Sequence, residues 1–301
     1  MNKKFSILIT TKNRIEDLKI TLTNLAYLVN RKNVEFLVYD DASTDGTLAF
    51  LESEYPNFKI FKNNKSLGYI YNRNVLLNSC QGDYAISLDD DAHFLSERVL
   101  ENIQVYFSEH PKCGLLALRI FWGKYHPEFI ETNEQPIRVK SFVGCGHVWN
   151  KKAWNDIPNY PEWFVFYGEE NFASYCLFKK KWEIHYLPQV LVHHRVDLKS
   201  RKKNDDYLIR SQRALRAGWY LYFLFFPFQM IPRKMAYSIW IQFKLKVCKG
   251  DFIFLLVIVW ALSDLFLSIP KIFKDSNRLT IDEYENYLKI TDTKIYWQPE
   301  K

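Results

Sequence analysis

The first hundred residues alternate short apolar runs with amphipathic stretches, and this alternation limits the fold more than any other feature of the sequence. The apolar runs are rich in Val, Ile, Leu and Phe, as in strands that are buried on both faces. The stretches between them are long enough for the crossover helices that parallel strands require. We therefore predict an α/β fold with a mostly parallel, Rossmann-related sheet and helices on both faces. Strands are predicted at 5–10, 34–39, 58–62 and 84–88, and helices at 15–28, 46–55, 69–79 and 96–108.

The pattern becomes less regular after about residue 110 and changes again after residue 198. In the middle of the chain, strand-like runs fall at 115–120, 137–143 and 184–193, and a helix is predicted at 169–181. The five cysteines are widely spaced and form no CxxC pair, which favours free thiols in a reducing compartment over disulfides or a zinc site. We divide the chain into three regions, 1–110, 111–198 and 199–301.

Polar side chains follow each of the four predicted strands of the first region. The carboxyl ends of parallel strands meet at one edge of the sheet, so these side chains are expected to converge there. A nucleoside diphosphate needs such a mixture, since carboxylates bind the base and ribose and an arginine binds phosphate. In chain order the candidates are Thr11, Asn13, Arg14, Asp40, Asp41, Gly68, Arg73, Asp89, Asp90 and Asp91.

Three neighbouring acids, Asp89, Asp90 and Asp91, end the fourth predicted strand. Their mutual repulsion costs free energy unless the side chains point into water or a positive charge lies among them. The simpler explanation is an acidic turn, with the side chains in water. The four polar strand ends favour the other explanation, in which a divalent cation that also binds a diphosphate offsets the repulsion.

Six segments of the chain resemble, in order, the motifs of family-2 glycosyltransferases with the GT-A fold, of the kind that builds bacterial surface polysaccharides. The resemblance covers residues 5 to 195, and its segments are SILITTKNR, FLVYDDASTDGT, KSLGYIYNRN, GDYAISLDDDAHF, FVGCGHVWNKKAW and FYGEENFASYCLFKKKWEIHYLP with VHH after it. It implies that a sugar is transferred from a nucleotide-sugar donor to an acceptor with inversion at the anomeric carbon. It also implies a divalent metal, Mg²⁺ or Mn²⁺. The first region would then bind the donor, and the second would bind the acceptor and carry the catalytic base.

The resemblance also implies roles for individual residues. Asp91 would bind the metal together with a late histidine, which is His194 or its rival His193. The general base would be Glu170, where the family usually has Asp, and Phe172 stands where a further acid is usual. The remaining candidates would form the donor site: Thr11, Asn13 and Arg14 in the nucleotide pocket, Asp40 and Asp41 at the base, Arg73 at the base or phosphate, Asp89 at the ribose, and Gly68 and Asp90 beside them.

The last region is basic and aromatic. Between Lys199 and Lys249 many Lys and Arg residues are opposed by only two acids, and 252–269 is apolar apart from Asp264. Three interpretations remain open: helices over 199–275 that lie on an anionic membrane surface, a single transmembrane helix over 252–269, or a helical subdomain packed on the catalytic core. Asp264 and two prolines favour the first. No nucleic-acid-binding module is recognisable, so nucleic acid is not expected as a partner.

We therefore predict an inverting, metal-dependent glycosyltransferase that acts on a glycan or lipid-linked acceptor in surface polysaccharide synthesis. Its expected location is the cytoplasm, peripheral on the inner face of the plasma membrane. One alternative is a nucleotidyltransferase acting on sugar phosphates, but the segment TTKNRIEDL after the first strand lacks the glycines of a phosphate-binding loop. The other alternative is a non-catalytic adaptor that keeps the fold.

Overall fold

The computed structural model describes residues 4–196 and 206–294, and the predicted region 199–301 therefore begins and ends outside the described residues. The strands are β1 (Phe5–Thr11), β2 (Val34–Asp40), β3 (Lys59–Lys62), β4 (Tyr84–Asp89), β5 (Ala92–Phe94), β6 (Cys113–Trp122), β7 (Ile137–Val139), β8 (Gly146–Asn150) and β9 (Glu183–His194). The helices are α1 (Ile15–Asn24), α2 (Ala26–Val29), α3 (Thr47–Glu54), α4 (Tyr69–Ser79), α5 (Val99–Glu109), α6 (Lys151–Asn155), α7 (Glu169–Lys179), α8 (Tyr207–Phe225), α9 (Ile231–Leu245), α10 (Phe254–Leu267), α11 (Ile269–Asp275) and α12 (Ile281–Leu288).

The strands form one sheet in the order β3-β2-β1-β4-β8-β6-β9-β5, and β7 pairs with β9. The α/β fold is confirmed, and the four strands of the first region are parallel as predicted. Beyond β4 the sheet is mixed rather than mostly parallel, because β8 runs antiparallel to both β4 and β6. The chain between β6 and β8 contains no crossover helix, which a parallel return would need.

The local differences from the sequence prediction have identifiable causes. The predicted helix 96–108 begins at Val99, because the Ser96 hydroxyl accepts a hydrogen bond from the Leu191 backbone N–H at 2.7 Å and does not cap the helix. The short strand β5, which the sequence did not predict, pairs Ala92 with His194 on β9. The pairing with β9 therefore makes β5 a strand, although β5 is too short for its sequence to show an alternating pattern.

The sheet is covered by apolar side chains on both faces. On β1, Ile7 and Ile9 pack with α1 and α5, whereas Leu8 packs with α4 on the other face, and all three are at most 2% exposed. Successive side chains of a strand point to opposite faces, so a strand covered on both sides reads as a continuous apolar run. This is the physical basis of the first sequence prediction.

The C-terminal helices pack against α7. The Phe225 ring on α8 contacts the Phe172 and Tyr175 rings on α7, at 5.3 and 4.9 Å between centroids. Phe172, which replaces an expected acid, is therefore a core residue.

Among the described residues no single helix is long and apolar enough to cross a bilayer. Helices α10 and α11 together are long and apolar enough, but they are bent by 58° relative to each other.

Candidate active site

The polar strand ends meet at one edge of the sheet, as parallel pairing requires. Thr11 lies opposite Asp40 in the register of β1 with β2, and Thr10 lies opposite Asp89 in the register of β1 with β4. The loops that follow are joined by hydrogen bonds: the Asn13 side-chain carbonyl accepts from the Thr44 backbone N–H at 2.7 Å. Two groups of polar residues occupy this edge, one centred on Asp41 and one on the three acids.

Asp41 organises the loop that leads into α4. Its buried carboxylate accepts hydrogen bonds from the Ser66 hydroxyl, the Leu67 and Gly68 backbone N–H groups and the Asn63 side chain, at 2.5 to 3.2 Å. Burial alone would raise the pKa of Asp41, but these donors outweigh it and hold the pKa at about 2. Asp40 is also buried and accepts from the Ser43 backbone N–H at 3.0 Å. The two acids therefore shape the rim of the nucleotide pocket expected here.

The three neighbouring acids are paired with two arginines, Asp89 with one and Asp90 and Asp91 with the other. Asp89 lies 2.6 Å from the Arg73 guanidinium. Asp90 accepts from the Thr11 hydroxyl at 2.9 Å and lies 2.9 Å from Arg14, which also contacts Asp91 at 2.7 Å. The acidic-turn explanation is therefore wrong for this segment, because Asp90 and Asp91 are buried.

Burial acts to raise the pKa of both buried acids, but their neighbours oppose it to different extents. It raises the pKa of Asp90 to about 7, although Arg14 opposes the shift. Burial would also raise the pKa of Asp91, but His194 and Arg14 outweigh it, so this pKa lies below the ordinary value of 3.8. Of these two buried acids, Asp91 is therefore the one that keeps its negative charge throughout the neutral range.

Asp89, Asp91 and His194 form the candidate metal site, because ligand atoms from all three lie within 4.8 Å of one another. Asp91 Oδ1 and His194 Nε2 are 3.1 Å apart, but neither atom has a well-aligned hydrogen-bond partner among the described residues. Buried polar atoms are normally satisfied, so two unsatisfied ligand atoms that face each other fit a bound cation. Two carboxylates and an imidazole suit Mg²⁺ or Mn²⁺.

The structure separates the two rival histidines. His193 Nε2 lies 2.8 Å from the Gly123 carbonyl oxygen, on the side of β9 away from the acids. His194 lies opposite Ala92 in the β5 pairing, and its ring is directed at Asp91. Alternation along β9 allows only one of the two to reach the acidic cluster. The geometry therefore brings together Asp91 and His194, the two residues that the resemblance implied as metal ligands.

Glu170 lies at the start of α7, and its carboxylate meets Tyr69 and Arg73 beside Gly144. A Cβ atom on Gly144 would lie 2.6 Å from Glu170 Oε1, 3.1 Å from the Tyr69 hydroxyl and 3.5 Å from the Arg73 guanidinium. Only glycine leaves room for these three groups to meet. Burial raises the pKa of Glu170, although the Arg73 charge opposes the shift. A raised pKa makes a carboxylate a stronger base.

Sequence reasoning missed two members of this cluster. The Arg73 guanidinium lies 4.2 Å from the centre of the Tyr69 ring. Glu169 is buried, and one of its carboxylate oxygens has no hydrogen-bond partner in the part of the chain that the structure describes. Burial, followed by the charge of Glu170, raises the pKa of Glu169. Tyr69 precedes Arg73 by four residues on a predicted helix, and this spacing was a usable signal because such residues are neighbours on a helix surface.

A sheet of this topology with an Asp-x-Asp sequence at the end of β4 defines a GT-A glycosyltransferase fold, and solved structures share it. Residues 1–349 of TarS from S. aureus match with a TM-score of 0.55 and 17% identity over 91% of this chain and 83% of that one. The mannosyltransferase PcManGT from Pyrobaculum calidifontis, in complex with GDP-Man and Mn²⁺, matches with a TM-score of 0.54 and 14% identity over 96% and 79%. GalNAc-T7 with UDP, GalNAc and Mn²⁺ matches with a TM-score of 0.56 and 15% identity over 73% and 50%.

Sequence comparison places the chain in a family. The family model described as glycosyl transferase family 2 matches residues 6–176, and the protein belongs to this family. An uncharacterized glycosyltransferase of Bacillus subtilis, YfnE, is 30% identical over 138 residues, which is 44% of this chain and 35% of the relative. The matched segment thus spans about a third of the relative's length. The prediction of a family-2 glycosyltransferase with the GT-A fold is confirmed.

Proposed function

We propose that this glycosyltransferase transfers a sugar from a nucleotide-sugar donor to an acceptor hydroxyl, with inversion and with the help of Mg²⁺ or Mn²⁺. The observation that carries the proposal is the position of Arg73. Its guanidinium contacts Asp89 of the candidate metal site at 2.6 Å, and it reaches the same point beside Gly144 as the carboxylate of Glu170. The candidate base and the candidate metal ligands therefore flank a single cleft.

The chemistry that follows needs one base. Glu170 takes the proton of the acceptor hydroxyl, and the acceptor oxygen forms a bond to the anomeric carbon from the face opposite the nucleotide. The bond between the anomeric carbon and the diphosphate oxygen breaks, and the electron pair leaves with the diphosphate. A divalent metal held by Asp89, Asp91 and His194 would supply positive charge for the diphosphate. One carboxylate base is sufficient for inversion, because each transfer has a single displacement.

Structural neighbours support a nucleotide-sugar as the donor. TarS from S. aureus has been solved with UDP-GlcNAc, with a TM-score of 0.52 to this chain, and PcManGT with GDP-Man. In this chain we assign Thr11, Asn13, Arg14, Asp40, Asp41 and Gly68 to the nucleotide end of the site, and Arg73, Asp89 and Asp90 to the ribose and phosphates.

The proposed acceptor is a glycan or a lipid-linked sugar used in surface polysaccharide synthesis at the cytoplasmic face of the plasma membrane. Aromatic rings suited to the apolar face of a sugar precede the candidate base. Phe166 packs against Tyr69 at 5.5 Å and against Tyr167 at 4.6 Å between ring centroids. These rings lie in the segment that leads directly to Glu170.

The test is Glu170→Gln, with Glu285→Gln on an exposed surface of α12 as the matched control. Release of nucleoside diphosphate, in the presence of a nucleotide-sugar, Mn²⁺ and an acceptor, reports turnover. We expect Glu170→Gln to lower kcat by about 10²–10⁴-fold, as for the loss of a general base, while donor affinity is retained. Wild-type turnover by Glu170→Gln would remove this residue from the role, and no turnover by the wild-type protein with any donor would favour the adaptor alternative. Donors are chosen by thermal-shift screening of nucleotide-sugars with and without Mn²⁺.

A further inference from the structure

Helix α10 is apolar on all sides, but the protein covers only one of them. Its buried side chains, among them Val257, Ile258 and Ala261, face α8 and the core. A helix that is apolar all round is normally buried completely, either in a protein core or in lipid. The exposed side of α10 and its neighbours, here called the apolar face, consists of Phe252, Ile253, Leu255, Leu256, Val259, Trp260, Leu262, Phe266, Leu267, Ile269 and Phe273.

The one charged residue within this segment does not interrupt the apolar face. Asp264 points inward and lies 2.6 Å from the Arg216 guanidinium on α8. Its carboxylate also accepts a hydrogen bond from the Gln212 side chain. In the sequence alone, Asp264 is a reason to favour helices on the membrane surface over a spanning helix. That reason does not hold, because this acid belongs to the contact between α8 and α10.

Basic side chains flank the apolar face at both ends. Lys244 and Lys249 precede α10, Lys271 and Lys274 lie on α11, and all four are exposed. The acid of α11, Asp275, accepts a hydrogen bond from the Trp163 indole at 2.9 Å and so also points inward. An apolar strip bordered by lysines complements acyl chains next to anionic headgroups.

From this arrangement we infer that the apolar face and its lysines dock on an anionic bilayer surface. Helices α10 and α11 would lie along the interface, with their exposed side chains among the acyl chains. The bend of 58° between them lets both follow one face of the protein. The inference does not depend on the proposed catalytic roles, because binding to vesicles requires no turnover.

The test compares two valines of equal exposure on two helices. Val259 on the apolar face is 55% exposed and Val105 on α5 is 53% exposed. The full-length protein is sedimented with phosphatidylcholine vesicles and with vesicles that also contain phosphatidylglycerol. We expect binding to the anionic vesicles, an about tenfold weaker partition for Val259→Asp, and no more than an about twofold change for Val105→Asp. Replacing the four lysines by glutamine should remove the preference for anionic vesicles.

Two outcomes would overturn the inference. One is equal sedimentation of Val259→Asp and Val105→Asp with anionic vesicles. The other is a wild-type protein that does not bind vesicles but dimerises in sedimentation velocity, with Val259→Asp monomeric. That outcome would assign the apolar face to a second copy of the chain.

A second inference rests on a different observation and on the proposed role of Glu170. The segment 163–168 that leads to Glu170 has unusual backbone conformations: φ is +69° at Val165, +70° at Tyr167 and +87° at Gly168. Residues with side chains are strained in this region of φ and persist there only when their surroundings hold them. The C-terminal helices supply that support.

Arg216 is the central contact. Its guanidinium donates a hydrogen bond to the Phe164 carbonyl oxygen at 2.9 Å while it pairs with Asp264 at 2.6 Å. The Tyr220 ring on the same helix packs against the Trp163 and Phe164 rings, with centroids 4.9 and 5.4 Å apart. We propose that Arg216 is a positioning residue, which holds the segment 163–168 so that Glu170 faces the acceptor.

The test uses Arg216→Ala, Arg216→Lys and, as control, Arg213→Ala on the same helix. Arg213 makes no ion pair with any residue that the structure describes. We expect Arg216→Ala to lower kcat by about 10–100-fold with the KM for the donor changed less than about twofold, since the donor site lies on other elements. Arg216→Lys should restore part of kcat, because it retains a cation opposite Asp264.

An unchanged kcat in folded Arg216→Ala, or a loss of donor affinity that parallels the loss of kcat, would overturn this second inference. If Arg216→Ala does not fold, Asp264→Asn takes its place, because it removes the charge that orients the Arg216 guanidinium. The same result is then expected, a lower kcat with little change in the KM for the donor. Glu170→Gln is measured in parallel. An active Glu170→Gln variant would contradict the proposed function itself, whereas an inactive one beside a fully active Arg216→Ala would contradict only the positioning role.

Discussion

Strand β4 and helix α10 are both apolar segments that carry acids, but the acids have different surroundings. At the end of β4 three acids share two arginines and a histidine, and Asp91 Oδ1 remains without a hydrogen-bond partner among the described residues. In α10 a single acid, Asp264, is matched by the single cation Arg216. A buried carboxylate oxygen without a hydrogen-bond partner fits a site for a positive ligand, whereas a matched ion pair indicates a structural contact.

The largest effect should come from the acids at the end of β4. Asp91→Ala is expected to lower turnover by about 10²–10³-fold and to abolish the part of nucleotide binding that depends on Mn²⁺, because a charged ligand of the candidate site is lost. Calorimetric titration of a nucleotide with and without Mn²⁺ measures this, with Asp282→Ala on α12 as control. Nucleotide affinity that depends on Mn²⁺ as strongly as in the wild type would count against the metal site.

The pH dependence of turnover tests the base in the same cleft. Burial raises the pKa of Glu170 above its ordinary value of 4.5, and a base acts only when deprotonated. We therefore expect kcat to fall as the pH drops through this raised pKa, so that the acidic limb lies above pH 4.5. A rate profile with Mn²⁺ held saturating measures the limb. A limb at or below the ordinary value would mean that the cleft does not shift this group.

Two leucines compare the apolar interior of the sheet with the apolar face of α10. Leu37 in β2 is 0% exposed, whereas Leu267 at the end of α10 is 74% exposed. We expect Leu37→Ala to lower the free energy of unfolding by about 3–5 kcal/mol and Leu267→Ala by less than about 0.5 kcal/mol. Denaturant titration without lipid measures both. A large loss for Leu267→Ala in these conditions would mean that another part of the protein covers the apolar face.

The smallest expected effect is on Glu169. Burial raises its pKa in the folded protein above 4.5, so the folded state binds more protons than the unfolded state between these two pKa values. Stability is therefore greatest below the unfolded pKa and falls as the pH rises. Because glutamine is neutral at every pH, Glu169→Gln should raise Tm at pH 7 by about 2–4 °C, and the gain should shrink towards pH 4.5. Calorimetry beside Glu285→Gln checks this, and a lower Tm would contradict it.

Much of the region 1–110 was predictable from the sequence. The strands β1 to β4 read as continuous apolar runs because both faces of each are covered, and their polar ends meet because parallel strands share one edge. The second half was less predictable. Strand β5 is too short to show a period, and the antiparallel insertion of β8 between β4 and β6 depends on contacts between residues far apart in the chain.

The sequence by itself determined the α/β class, the order of the polar strand ends and the family to which the chain belongs, because local runs and motifs carry that information. Only the tertiary structure decided that His194 rather than His193 faces Asp91, that Asp264 points inward to Arg216, and that Tyr69 joins Arg73 and Glu170 around Gly144. The physical reason is that periodicity tells which side chains share a face of an element. What that face contacts depends on how distant elements pack.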